Sequence, residues 1–297
     1  MSVAFVICTE RHLENKSLLL VRSLRRFGGT LGAASPVFSY SPRPDAIPSD
    51  GLLRNLAALD VRLVFDVHNS RWSDYPFANK VVACAHAERN LPADTIIFLD
   101  TDQIVLREPS ALELLPCVDA ALRPVDRKYI GLGHDDDANY PYWMTLYELS
   151  GSLPTRKVKT TLDQDVIWEY YNSGLIAVRR SAGILSHWER LLGQILESGV
   201  LPTTGVAYVE QSAFAASVTA KAKEVTVLPP EYNFPVTPEW RETLVGYPDV
   251  VTNAKTLHYH RSFDEGRWRE WLSSRDRLPL PPEQHAWLRD NLAELGI

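Results

Sequence analysis

The chain has 297 residues, 45% hydrophobic and 23% charged, enough to bury a large core as one elaborated domain or two small ones. A formal net charge of −6 excludes a general attraction to nucleic acid or to anionic membranes. Three widely spaced cysteines, Cys8, Cys84 and Cys117, exclude a disulfide framework or a zinc knuckle and suit a reducing compartment.

The opening MSVAFVICTE has no basic region ahead of its apolar stretch, and no run approaches the roughly twenty apolar residues of a membrane span. The expectation is a soluble cytoplasmic protein without an integral membrane segment, its oligomeric state open. VAFVIC (Val3–Cys8) is strand-sized and β-rich, the first predicted strand. HLENKSLLLVRSLRRFGG carries Leu18, Leu19, Val21, Leu24 and Phe27 at helical spacing and ends in Arg25, Arg26 and a Gly pair, a helix C-terminus. PVFSYS (36–41) and VRLVFDV (61–67) are the second and third strands. FANKVVACAHAERNL is a helix stopped by Pro92, and TIIFLD is the fourth strand.

From 126 to 159 the pattern breaks up into Gly, Pro, Asp and aromatics with little periodicity, which reads as a working loop or lid. Within it, HDDDANY reads as a solvated acidic loop. Regularity returns with YYNSGLIAVRR, a strand, and SAGILSHWERLLGQILESG, an amphipathic helix closed by Gly199. VEQSAFAASVTA is helical, EVTVLPP is a strand and TLHYHRSF a last short strand, before a proline-bearing tail that ends in a packed helix. Strands alternating with helices predict an α/β fold with a mostly parallel sheet covered on both faces. No internal repeat and no interdomain linker is visible.

The stretch TIIFLDTDQIVLREP places two acids, Asp100 and Asp102, inside an apolar run. An acid there costs several kcal/mol unless something pairs with it. In open parallel sheets, ligands bind beyond the carboxyl ends of central strands. A divalent cation can bridge two such carboxylates to the oxygens of a diphosphate. Thr101 between them lets alternate side chains of an extended segment point the same way. Far along the chain LHYH sets His258 and His260 at period two, on one face if the segment is extended, with Leu257 and Tyr259 on the other. A shell of oxygen and imidazole suits Mn²⁺ better than Mg²⁺.

The order FLDTDQIVL, YYNSGLIAV, helix, VEQSAF and LHYHRSF resembles the GT-A glycosyltransferases, and is most similar to the glycogenin and lipopolysaccharide galactosyltransferase group. The resemblance covers most of residues 1 to 265, taken as a GT-A catalytic domain, with 266–297 as a helical extension packed on it. It implies a Rossmann-like nucleotide-diphospho-sugar fold and transfer of a sugar, from a UDP-sugar first of all, to an acceptor hydroxyl. By the resemblance, Asp100 and Asp102 bind metal and nucleotide sugar, and His258 completes the metal site. His260 is the alternative ligand or a contact to the diphosphate. Lys80, in FANK, falls where a basic residue covers the donor, and Thr9, with Cys8 and Glu10 beside it, where base and ribose bind. Asn172 matches an amide that contacts donor sugar or acceptor, and Glu210 with Gln211 matches an acid–Gln pair at the reaction centre. Asp163, with Asp165 in LDQDV, is a second acidic cluster that holds acceptor hydroxyls or caps a turn.

The sequence departs from that pattern in two places. HYHRSFDEGRW stands where relatives carry Gly and then Lys-Pro-Trp, leaving Arg261 or Arg267 to supply positive charge. The acid of the acid–Gln pair is Glu210 rather than Asp, one methylene longer. Retention, which the resemblance implies, sets Gln211 and Glu210 against the anomeric carbon; inversion would need Glu210 or Asp163 as general base. FLDTDQIVL also looks like the first motif of haloacid dehalogenase-type phosphohydrolases, but it comes late and lacks Gly-Thr. A nucleotidyltransferase would want a Gly-rich loop after the first strand, and CTERHLENKS has no glycine. A binding protein that holds nucleotide sugars without turning them over is the remaining alternative.

Overall fold

The computed structural model describes residues 1–237, 246–273 and 278–297. Residues 238–245 of the expected catalytic span and 274–277 of the expected extension lie outside the described residues. The strands are β1 (Val3–Cys8), β2 (Val37–Tyr40), β3 (Val61–Val64), β4 (Thr95–Leu99), β5 (Gln103–Val105) and β6 (Ala120–Pro124). They continue with β7 (Lys157–Lys159), β8 (Val166–Trp168), β9 (Tyr171–Arg179), β10 (Val225–Val227), β11 (Phe234–Pro235) and β12 (Thr256–His258). The helices are α1 (Glu14–Phe27), α2 (Gly29–Ala34), α3 (Asp50–Ala58), α4 (Ala78–Asn90) and α5 (Tyr140–Ser150). After them come α6 (Ile184–Ser198), α7 (Val209–Lys221), α8 (Pro248–Thr252), α9 (Trp268–Trp271) and α10 (Pro282–Leu295).

A seven-stranded sheet runs β10-β6-β9-β4-β1-β2-β3. β1 pairs parallel with β4, and β2 with β3, while β6 and β9 are antiparallel. All five residues of β4 are buried, which its unbroken apolar run TIIFL requires of a central strand covered on both faces. β5 leaves this sheet and joins a three-stranded one, β11-β12-β5. The mostly parallel α/β sheet expected from the strand–helix alternation is therefore present.

The chain divides into two compact units. One comprises Met1–Val6, Asp66–Phe98 and Ala111–Leu228. Its core is aromatic: Trp143 lies edge-on to Tyr170 at 5.4 Å, and Trp188 packs on Phe214 at 5.0 Å. The other comprises Ile7–Phe65, Leu99–Ser110 and Pro229–Ile297. Its core gathers Leu19, Ile104, Phe234, Leu257, Trp271 and Leu292. In that unit Trp287 of α10 meets Phe27 of α1 edge-on at 5.2 Å.

Three expectations are corrected. The segment 126–159 is not a structureless lid, because it contains α5, whose Tyr142, Trp143, Leu146 and Tyr147 are buried in the aromatic core. Their i, i+1, i+4, i+5 spacing is helical, but Tyr140, Tyr142, Trp143, Met144 and Tyr147 together blur the stripe in the sequence. The last strand stops at His258, and His260 lies beyond it with a left-handed φ of 49°. In HDDDANY, Asp135 and Asp136 are exposed as expected, whereas Asp137 organises the turn. Its carboxylate accepts from the Gly133 and His134 N–H groups at 2.7 and 2.9 Å and pairs with Lys128. That anchoring holds the Asp137 carboxyl below its ordinary range despite the opposing effect of burial. The structure also adds α3 and β6, which had not been anticipated.

Candidate active site

In the second unit the antiparallel ladder between β5 and β12 sets His258 opposite Gln103. The Tyr259 N–H donates to the Asp102 carbonyl at 3.0 Å, extending the pairing one step past β5. Asp102 lies in the turn that leads into β5, closed by the Gln103 N–H on the Asp100 carbonyl at 3.2 Å, and from that turn its Oδ1 comes to 3.1 Å from His258 Nε2. His260 reaches the same place through its left-handed turn, which lays its ring on that of His258 with centroids 3.9 Å apart and planes 24° apart. One ligand atom from each of Asp102, His258 and His260 lies within 4.8 Å of the others. Leu257 and Tyr259, on the opposite side, are fully buried.

Burial would push the Asp102 carboxyl up. The charge and hydrogen bond of His258, helped by His260 and Lys16, outweigh it and hold the group well below the carboxylate range. Asp102 therefore stays anionic, and it remains 25% exposed while His258 is 7% exposed. Asp102 Oδ1 and His258 Nε2 face each other across 3.1 Å, near enough that both could hold one ion. One carboxylate with two imidazoles is a donor set suited to Mn²⁺, so the residues fit the cation that the sequence implied. Asp100 is half-buried and does not belong to this group of three, and Thr101 beside it is buried.

Lys16 of α1 carried no signal in the sequence. Its Nζ donates to the His260 carbonyl at 3.4 Å and pairs with Asp264 at 2.7 Å. Arg11, His12, Lys16, Arg261 and Asp264 share a cavity of 490 Å³ in this unit. Thr9, at the end of β1, is fully buried and its hydroxyl accepts from Ser39 Oγ at 2.8 Å. Its backbone pairs with Tyr40 and Ser41, so Thr9 fixes the strand ends rather than offering a free hydroxyl.

The first unit holds a second polar cluster. Lys80 of α4 donates to Ser173 Oγ at 3.3 Å, and Ser173 donates on to Glu210 Oε1 at 3.0 Å. Lys80 Nζ also stands 3.5 Å from Glu210 Oε1, with both side chains about nine-tenths buried. Gln211 accepts from the Ser173 N–H at 3.2 Å and donates to the Tyr170 hydroxyl at 2.8 Å. The Glu210 backbone is gripped as well, its N–H by Tyr75 Oη at 3.1 Å and its carbonyl by Trp188 Nε1 at 2.7 Å. Burial, reinforced by Glu210, pushes the Tyr75 hydroxyl up, so Tyr75 remains a neutral partner.

The structure thus brings Lys80, Glu210 and Gln211 together. Asn172 sits beside them on β9, but its Oδ1 is engaged by the Gly174 N–H at 2.8 Å. Asp163 is apart from the network and forms an ion pair with Arg127 at 2.6 Å. Ser173, Tyr75 and Tyr170 are members that sequence reasoning missed. Tyr170 and Ser173 lie inside the YYNSG motif and could have been named from it; Tyr75 could not.

Among the described residues no helix is long and apolar enough to cross a membrane. The model of the Rhodobacterales glycosyltransferase domain matches residues 4–221. No curated protein matches the chain. Among solved structures, the WbbM bifunctional glycosyltransferase in its apo form is similar at a TM-score of 0.52 and 14% identity over 97% of this chain and 51% of that one. The chain therefore spans about half the length of WbbM, and the likeness concerns the fold. Mouse xyloside xylosyltransferase 1, also apo, aligns at a TM-score of 0.49 and 14% identity over 87% of this chain and 97% of that one. With a GT-A-like sheet and a family match that spans more than half its length, the chain belongs to the Rhodobacterales glycosyltransferase domain family.

Proposed function

We propose that this glycosyltransferase is metal-dependent and moves a sugar from a nucleotide diphosphate sugar, a UDP-sugar first of all, to an acceptor hydroxyl with retention. The carrying observation is the convergence of Asp102, His258 and His260, whose ligand atoms lie within 4.8 Å of one another. The sequence order of the chain's motifs supports a proposed kinship with the glycogenin and lipopolysaccharide galactosyltransferase group. A bound cation, Mn²⁺ before Mg²⁺, would neutralise charge that develops on the departing diphosphate. Asp102 supplies the anionic ligand and His258 and His260 the imidazoles. Asp100, Thr101 and Thr9 are proposed to border the donor. Lys16 and Arg261 supply the positive charge in place of the missing Lys-Pro-Trp.

Glu210 and Gln211 are proposed to act on the anomeric carbon, and Asn172 and Asp163 on donor or acceptor hydroxyls. Their support is preorganisation: Ser173 fixes both the Glu210 carboxylate and the Gln211 amide, so neither must reorganise as charge develops. The longer Glu210 side chain is held back by Lys80, which offsets the extra methylene relative to the family's Asp. Residues 1–265 are taken as the catalytic part with 266–297 packed on it. Cys8, Cys84 and Cys117 form no disulfide, in keeping with a proposed cytoplasmic location.

Two measurements test the reading. EDTA should abolish transfer and Mn²⁺ restore it, and full turnover in chelator would overturn the metal role. NMR of the new glycosidic bond should show the donor's anomeric configuration, and an inverted product would end the retaining proposal.

A further inference from the structure

Tyr129 and Tyr208 adopt left-handed backbone conformations, with φ of 46° and 66°. A bulky side chain there is an outlier that persists only where the surroundings enforce it. Both positions are enforced. Tyr208 precedes α7, and its carbonyl accepts from Ser212 N–H at 2.9 Å and Ser212 Oγ at 3.0 Å. Tyr129 lies in a turn closed by Gly131 N–H to Lys128 O at 2.6 Å, where a Cβ on Gly131 would stand 2.8 Å from that same carbonyl.

The two strained turns together stack one phenol ring on the other, with centroids 5.1 Å apart and planes 25° apart. They do so at the surface, since Tyr129 is 40% exposed and Tyr208 half-buried. A stack built only for core packing would be buried like Trp143 and Tyr170. Polar groups of the right kind adjoin it. Burial first, and then Asp126, push both tyrosine hydroxyls up, so both stay neutral donors. The Arg127–Asp163 ion pair, at 2.6 Å and about a third exposed, also acts on Tyr129.

An aromatic face beside a guanidinium and carboxylates is chemistry that holds a sugar ring, with its C–H face on the aromatic and its vicinal hydroxyls on the charged groups. We propose that Tyr129 and Tyr208, with Arg127 and Asp163, bind the pyranose ring of a saccharide acceptor. The acceptor hydroxyl is then borne by a sugar rather than by a protein side chain. Tyr208 stands two residues before Glu210, which ties this platform to the acid–Gln pair. The inference rests on the glycosyl-transfer reading above.

The test is saturation-transfer NMR with a panel of methyl glycosides of glucose, galactose, mannose and xylose, without donor or metal. The variants are Tyr129→Asn and Tyr208→Asn, since Asn tolerates the left-handed region, with Tyr129→Phe and Tyr208→Phe retaining the ring. At least one glycoside should bind the unaltered protein, weaken about tenfold in each Asn variant, and bind the Phe variants nearly as well. The same Asn variants should raise the KM for a saccharide acceptor more than they lower kcat. Equal binding by the Asn variants, or no glycoside bound by the unaltered protein, would overturn the platform. Glycoside binding that needs both tyrosines in a protein that transfers no sugar would sustain the platform and remove the transferase reading. Transfer to a saccharide at unchanged KM in both Asn variants would do the reverse.

Discussion

Lys80 and Glu210 form an ion pair at 3.5 Å with side chains only 11% and 7% exposed. Such a pair contributes little net stability over apolar replacements, because both ions lose their hydration, but removing one partner strands the other. Lys80 also faces the Phe98 ring at 5.8 Å, a cation–π contact that Met would partly replace by packing. Lys80→Met should therefore destabilise the protein by about 3–5 kcal/mol, and the double variant with Glu210→Gln should recover a large part of the loss. Urea unfolding of the single and double variants measures the coupling. Additive losses would mean that the pair is not energetically linked.

Helices α6 and α7 are bound by Trp188 on Phe214 and by His187, whose Nδ1 lies 3.1 Å from Ser217 Oγ. Burial, with Arg190 and Lys221 nearby, pushes His187 down to about 4 from an ordinary 6.5. The unfolded chain takes this proton near pH 6.5, and the folded chain only near 4. Stability is therefore whole above pH 6.5 and falls by roughly 3 kcal/mol as pH drops toward 4. His187→Gln should flatten that part of the profile, leaving the slope due to carboxylates; an unchanged profile would show that His187 takes its proton in the fold. Of these, α6 was legible in the sequence because its apolar period is clean and Gly199, at φ 71°, closes it, whereas α7 is buried continuously from Val209 to Val218 and carries no such stripe. By contrast α5 was not, since aromatics crowd it on several faces, and β6 was not, since AALRP carries no alternation. That Asp102 and the two histidines come together was legible in the sequence. That His260 arrives through a left-handed turn was not, because period two assumes a strand that in fact ends at His258.

For the molecule as a whole, a cation held by the native state and not by the unfolded chain must raise stability. At a hundredfold excess over the dissociation constant the gain is about 2.7 kcal/mol. At roughly 2–4 °C per kcal/mol, Tm should rise about 5–10 °C. A rise alone proves little here: 37 Asp and Glu stand against 31 Lys and Arg, so divalent ions will also gather loosely on the surface. Specificity lies in the donor set. Two imidazoles beside Asp102 favour Mn²⁺ over Mg²⁺ and Ca²⁺, whereas scattered carboxylates favour the harder ions. Tm should therefore respond to Mn²⁺ well above Mg²⁺ or Ca²⁺ at equal concentration, and UDP should add a further rise only when Mn²⁺ is present. Asp102→Asn should abolish the Mn²⁺ response and cut turnover about a hundredfold or more while near- and far-ultraviolet circular dichroism stay native. A full Mn²⁺ shift in that variant, or equal shifts from all three ions in the unaltered protein, would assign the stabilisation to surface charge and leave Asp102, His258 and His260 as a structural ion pair with a stacked ring.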